Sequence, residues 1–220
     1  MNRSPDSEAA LVVRCKTIEG LSLGQLAERM QVCVPQDPMA RKGWSGLLIE
    51  QALGATAGGL ALPDFHHLNI ELKTIPLNAT GKPTESTFVT SIPLLTIQQQ
   101  TWKTSTCYSK LKRVLWVPVE GCSSIPFSQR RIGRAVLWSP NQEEEDILST
   151  DWNLLSFMIG AGQLGLLDAR IGQYLQVRPK AANANALCYG FDETGNKVST
   201  MPRGFYLRSA FTSKIVAINL

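Results

Sequence analysis

Histidine is scarce in this chain: His66 and His67 are the only two, and they are adjacent. Neighbours on an extended segment point to opposite sides, so the pair does not suit one shared metal, and a turn or surface role is expected. The five cysteines (15, 33, 107, 122 and 188) are odd in number, scattered and never in CxxC spacing. Neither a disulfide framework nor a zinc site is therefore expected; reduced, mostly buried thiols are. No apolar run approaches the length of a membrane span, and residues 1 to 10 are polar and mixed in charge. A cytoplasmic protein with no membrane partner is the expectation. No nucleophile-elbow motif marks a serine or cysteine nucleophile. The small-residue stretch from Gly54 to Gly59 lacks the GxxxxGKS/T and GxGxxG spacings, so it is not a nucleotide cradle. Internal repeats and long linkers are absent.

What is present is enough for one sizeable core. At 220 residues, 44% hydrophobic and 18% charged, the chain reads as a single domain. The net charge of +4 is modest, but it is unevenly spread. Between Trp102 and Arg134 seven Lys and Arg face one acid, Glu120, and from Arg170 to Leu220 seven face two, Asp192 and Glu193. Two basic segments with a separate acidic run suit a polarised surface that binds a polyanion, although ordinary solvated charge produces the same pattern.

Along the chain, Leu21 to Met30 and Trp44 to Leu53 read as helices, the second closed by Gly54. Ile70 to Ile75, Thr87 to Ile92, Lys112 to Val119, Arg134 to Trp138 and Gly172 to Val177 read as strands. Ser139 as N-cap, Pro140 at the first position and Gln142 three residues after the cap predict a helix start. The acids from Glu143 to Asp146 then suit the positive end of that helix, which continues through Leu148, Trp152, Leu155 and Ile159. Arg178-Pro179-Lys180 reads as a loop, Ala181 to Leu187 as a short helix, and the region around Tyr206 as a strand before a closing helix. The fold class is mixed α/β with a central sheet flanked by helices.

The segment from Pro63 to Lys73 carries the chemistry. Asp64 precedes Glu71 by seven residues, and Lys73 follows Glu71 by two, so Glu71 and Lys73 project from one face of the strand. Side-by-side carboxylates repel unless a cation sits between them, and a neighbouring lysine can hold an attacking water or a developing negative charge. That combination fits a hard-metal site for phosphodiester hydrolysis. Glu50, flanked by apolar residues on its helix, reads either as a solvent-facing residue or as a support tipped toward the metal. Arg178-Pro179-Lys180 is either an exposed basic turn or a stiff loop presenting Arg178 to a guanine edge and Lys180 to phosphate.

Several long segments appear in the order of one family: Lys42-Gly43-Trp44, Asn69 to Leu77, Lys110 to Glu120, Leu137 to Asn141, Arg178 to Ala184 and Pro202 to Leu207. In these the chain resembles the MutH family, strand-nicking endonucleases of methyl-directed DNA mismatch repair. The resemblance implies a restriction-endonuclease-like PD-(D/E)xK fold whose two arms, the N-terminal one catalytic and the C-terminal one starting near residue 140, form a DNA cleft. It implies Mg²⁺-dependent incision 5′ to the G of hemimethylated GATC, on the unmethylated strand, activated by MutL after mismatch recognition by MutS. By position it makes Asp64, Glu71 and Lys73 the catalytic set, with Glu50 and Lys110 in support. Asp64, Glu71 and the Leu72 carbonyl would hold one or two Mg²⁺. Lys42, Arg178, Pro179, Lys180, Arg203 and Tyr206 would contact DNA, Tyr206 where adenine methylation is sensed. One active site and no second homologous domain point to a monomer that nicks. The rival readings are an autonomous GATC restriction enzyme cutting both strands and a non-catalytic DNA-binding module.

Overall fold

The computed structural model describes residues 3–58, 61–180 and 186–217. In chain order the first elements are helices α1 (Glu8–Lys16), α2 (Leu23–Arg29), α3 (Pro38–Arg41) and α4 (Trp44–Leu53), then strands β1 (Glu71–Leu77) and β2 (Thr87–Ser91). Helix α5 (Thr106–Leu111), strands β3 (Val114–Glu120) and β4 (Val136–Trp138) and helix α6 (Gln142–Gly160) follow. Strands β5 (Leu175–Pro179), β6 (Cys188–Phe191), β7 (Lys197–Thr200) and β8 (Arg203–Leu207) and helix α7 (Ser209–Ala217) complete the order. The chain is mixed α/β, but among the described residues its strands divide among three small sheets, β1-β3-β4, β2-β8-β5 and β6-β7, instead of gathering in one central sheet. Two compact units result: Met1–Glu85, Arg113–Ser139 and Ser213–Leu220 form one, Ser86–Lys112 and Pro140–Thr212 the other. No described helix is long and apolar enough to cross a membrane.

In the first unit, β1 and β3 run parallel from Glu71 opposite Val114 to Leu77 opposite Glu120, and β4 pairs antiparallel with β3. Val114 to Val119 are all buried, as expected of a strand covered on both faces. Leu72, Leu115 and Val117 pack with Leu11 of α1, Leu23 and Leu26 of α2, and Leu48, Ile49 and Leu53 of α4. Each such side chain contributes roughly 1.5–3 kcal/mol on burial. Helix α2 starts two residues later than the hydrophobic pattern suggests, because Ser22 and Gln25 close a capping box there. Helix α4 ends as expected at Gly54, which turns left-handed at φ 82°. Helix α1 escapes pattern reading: it buries Leu11 and Cys15, yet Val12 and Val13 remain 38% and 63% exposed, so no clean apolar stripe shows. Arg113 fastens it to the start of β3 with two bonds to Glu8, Nε to Oε1 at 3.0 Å and an Nη to Oε2 at 2.7 Å.

In the second unit, β8 lies between β2 and β5, both antiparallel to it. Val89, Leu175, Val177, Phe205 and Leu207 are buried. Helix α6 buries Leu148, Trp152, Leu155 and Ile159 as its periodicity predicts, but its N-cap is Asn141, not Ser139. Asn141 and Glu144 form a reciprocal capping box at 2.9 Å each way, a match at the same cap-to-third-residue spacing, while Pro140 stays outside the helix. Asp151 on α6 is 5% exposed and accepts four bonds from the amides of Gln173, Tyr174 and Leu175. From the other end of the unit's chain, Arg208 donates to the carbonyls of Ala169, Ile171 and Gly172. The two side chains pin the loop that launches β5.

Strand β5 runs on through Pro179, with Pro179 opposite Arg203, so Arg178 and Pro179 close an edge strand instead of starting a loop. Proline is tolerated there because an edge strand needs no donor on its open side. The hairpin β6-β7 has no counterpart in the sequence reading; its turn is closed by Asp192, whose Oδ1 accepts from the amides of Thr194 and Asn196. Most of the expected Ala181 to Leu187 helix falls outside the described residues.

Candidate active site

The turn before β1 is held by its own backbone. The amides of Thr56 and Ala57 donate to the Asp64 carbonyl at 3.0 and 3.3 Å, which gives the small-residue stretch after α4 a structural purpose. Phe65 and Ile70 bond each other across the turn, and Asn69 closes it in the left-handed conformation at φ 56°. Asparagine tolerates that region better than most residues. The turn aims Asp64 back at the strand: its Oδ2 accepts the Leu72 amide at 2.8 Å. His66 and His67 are exposed, and His67 Nε2 lies 2.7 Å from the Pro5 carbonyl.

Glu71 opens β1, its amide bonded to the Arg113 carbonyl at 3.0 Å. Its side chain is 2% exposed, and Oε1 accepts from Lys73 Nζ at 2.6 Å. The strand's alternation puts the two side chains on one face, as the spacing predicts. Burying a carboxylate costs several kcal/mol unless a partner offsets it, and Lys73 supplies that partner. Leu72 faces the other way, with its side chain in the core.

Glu50 is half-buried on α4, and its helix packs on β1. A Cβ on Gly46 would lie 3.8 Å from Glu50 Oε1 and 3.5 Å from the Thr74 hydroxyl. That places the Glu50 carboxylate on the side of α4 near Thr74 of β1. Lys42 is exposed at the C-terminus of α3. Lys110 lies in the last turn of α5, in the second unit. Among the described residues no three or more His, Cys, Asp or Glu side chains gather as a metal cage. Asp64, Glu71 and the Leu72 carbonyl are an oxygen-only set, which fits a hard cation that keeps several waters.

The family model described as "DNA mismatch repair enzyme MutH" matches residues 53–151, which contain Asp64, Glu71 and Lys73. "DNA mismatch repair protein MutH" of Vibrio campbellii is 49% identical over 216 residues, covering 98% of this chain and 96% of that protein. The proteins of the same name from Serratia proteamaculans (49%) and Escherichia coli strain K12 (47%) each align over 213 residues, 97% of this chain and 93% of theirs. The chain belongs to the MutH family.

Of the residues that the MutH resemblance assigns to DNA contact in the second unit, Arg178, Lys180 and Tyr206 share one face of its sheet, whereas Pro179 and Arg203, opposite each other, fall on the other face. Tyr206 lies opposite Gln176 on β5 and Phe88 on β2, and Arg178 lies opposite Gly204. The Phe88 and Tyr206 rings meet edge to face at 5.3 Å, Arg178 sits 5.9 Å from the Tyr206 centroid, and Lys180 Nζ sits 3.0 Å from the Phe88 centroid. Ser86 accepts from Gln176 Nε2 at 2.8 Å and from Arg178 at 3.3 Å. A Cβ on Gly204 would come within 2.8 Å of Phe88 and 3.2 Å of Tyr206, so only glycine lets the rings close over the strand. Phe88, Ser86 and Gln176 are members of this face that the sequence reading passed over; only strand register reveals them. Arg203 is partly buried, which lowers its guanidinium pKa from the ordinary value. One of its terminal nitrogens donates to the Leu164 carbonyl at 2.9 Å.

Proposed function

We propose that this MutH-family protein is an Mg²⁺-dependent endodeoxyribonuclease of DNA mismatch repair. It nicks the unmethylated strand 5′ to the G of hemimethylated GATC and is activated by MutL after MutS detects the mismatch. The observation that carries the reading is the buried Glu71–Lys73 pair, with Asp64 turned onto the same strand start. Near-full-length identity to proteins named for mismatch repair supports the biological setting. Asp64, Glu71 and the Leu72 carbonyl would hold Mg²⁺, which when bound lowers the pKa of water and neutralises charge on phosphate oxygens. Lys73 has three N–H donors and gives one to Glu71; the others orient the attacking water and stabilise the charge that develops on the phosphate. Glu50 supports this centre from α4, and the MutH resemblance adds Lys110 to the residues that assist catalysis.

Arg178 reads guanine, Lys180 grips phosphate, and Tyr206 senses the adenine N6 position. An N6-methyl group on the strand to be cut meets the Tyr206 side chain and is rejected. A restriction-endonuclease-like fold with a DNA cleft accompanies this reading. Nicking of unmethylated, hemimethylated and fully methylated GATC duplexes, with and without MutL, MutS and ATP, tests it. The expected result is Mg²⁺-dependent nicking confined to unmethylated strands and stimulated by MutL, with Tyr206→Ser cutting the two strands of a hemimethylated site more equally. No cleavage on any duplex, or a double-strand break by the protein alone, overturns the reading.

A further inference from the structure

We propose that Arg41, Lys42 and Arg130, gathered around Phe127 in the first unit, form a phosphate-gripping site for the backbone of a nucleic-acid duplex. The proposal rests on the nuclease reading above and adds Arg41, Arg130 and Phe127 to the residues it assigns. The three cations line a concavity of about 390 Å³ that no carboxylate lines. The Phe127 ring organises it: the guanidinium carbons of Arg41 and Arg130 lie 5.3 and 5.6 Å from its centroid. Trp44 packs on the same ring at 5.8 Å, which ties the platform to the first turn of α4.

Each guanidinium is also fixed at its Nε. Arg41 Nε donates to the Pro35 carbonyl at 3.0 Å and Arg130 Nε to the Ile125 carbonyl at 3.4 Å. That fastening leaves the terminal nitrogens as a donor fork, the geometry that binds phosphate in pairs of hydrogen bonds. Among the described residues none of the three cations forms an ion pair, whereas Arg113, Arg170 and Lys103 each have a carboxylate. Three uncompensated charges in one concavity exceed what a single acidic side chain neutralises. A duplex carries about one negative charge per 1.7 Å of axis and satisfies all three. A phosphate seated here would lie against the α3–α4 elbow, at the start of the helix that bears Glu50.

Equilibrium binding of the full chain to one duplex with GATC and one without, in a KCl series without divalent ions, tests the site. Arg41→Gln and Arg130→Gln should each weaken both duplexes several-fold by the same factor. Each should lower the slope of log K against log salt by about one, leaving the ratio between the duplexes unchanged. Arg130→Lys, which keeps the charge, should retain most of the slope. Lys16→Gln removes the same charge from α1, outside the concavity, and should change little. Glutamine variants that keep wild-type affinity and slope, or an equal loss from Lys16→Gln, overturn the site while the nuclease reading stands. A wild-type chain that binds neither duplex overturns both.

Discussion

At the scale of single residues, Glu71 and Lys73 are unequal partners. The Glu71 side chain is 2% exposed and that of Lys73 15%, so the lysine is the more accessible of the two. Glu71→Ala and Lys73→Ala are both expected to lower nicking by about 10²-fold or more, with DNA binding largely retained in Glu71→Ala. Stability should separate the two variants. Lys73→Ala removes the cation beside a buried carboxylate and should cost on the order of 3 kcal/mol, whereas Glu71→Ala should cost clearly less. Urea denaturation measures both; equal costs would contradict the buried-pair reading, and full activity of Glu71→Ala would remove it from the catalytic set. The acid-x-lysine spacing was legible because strand alternation is a local rule. The placement of Glu50 was not, since a glutamate on a helix reads the same whether it faces water or a strand.

Elements dock through a few ionic and hydrogen-bonded fasteners whose strength depends on pH. Helix α1 is joined to the start of β3 by Glu8 and Arg113, and Arg113 also supplies the carbonyl that receives the Glu71 amide. The side-chain bond from Arg113 holds the Glu8 carboxyl below its ordinary value, against a smaller opposing effect of burial. A folded pKa below the unfolded one contributes stability that is present above roughly pH 4.3 and is lost as pH falls through the folded value. The melting temperature of wild type should therefore fall more steeply than that of Glu8→Gln between about pH 5 and 3, and the two curves should converge in acid. Parallel curves would mean that this pair does not hold α1 in solution. Elements of strong period, such as α4 and α6, could be read from sequence, and so could their apolar faces. Helix α1, with valines on its outer side, and the β6-β7 hairpin could not, because their signals are weak or reside in turn chemistry. The Asn141 cap shows why boundaries slip: two overlapping cap signatures compete, and the reciprocal bonds with Glu144 decide between them.

For the whole molecule the division into units does not follow the order of the chain. Residues 86–112 belong with 140–212, and β2 finds its partner in β8, more than a hundred residues later. A fragment ending at Ser139 contains β2 and α5 without the sheet that β2 joins. Limited proteolysis of that fragment should cut within residues 86–112, where the full chain resists; equal protection would show that the segment folds without its later partners. The sequence by itself determined the mixed α/β class, the main helices, and the placement of Glu71 and Lys73 on one strand face, all of which depend on periodicity and short spacing. Its resemblance to the MutH family also named residues in both basic segments. Only the tertiary structure decided that Arg178, Lys180, Tyr206 and Phe88 share one face, that Glu50 lies on the side of α4 near β1, and that two arginines flank Phe127. These arrangements come from strand register and packing between segments far apart in the chain, and local pattern carries no record of which distant residue will become a neighbour.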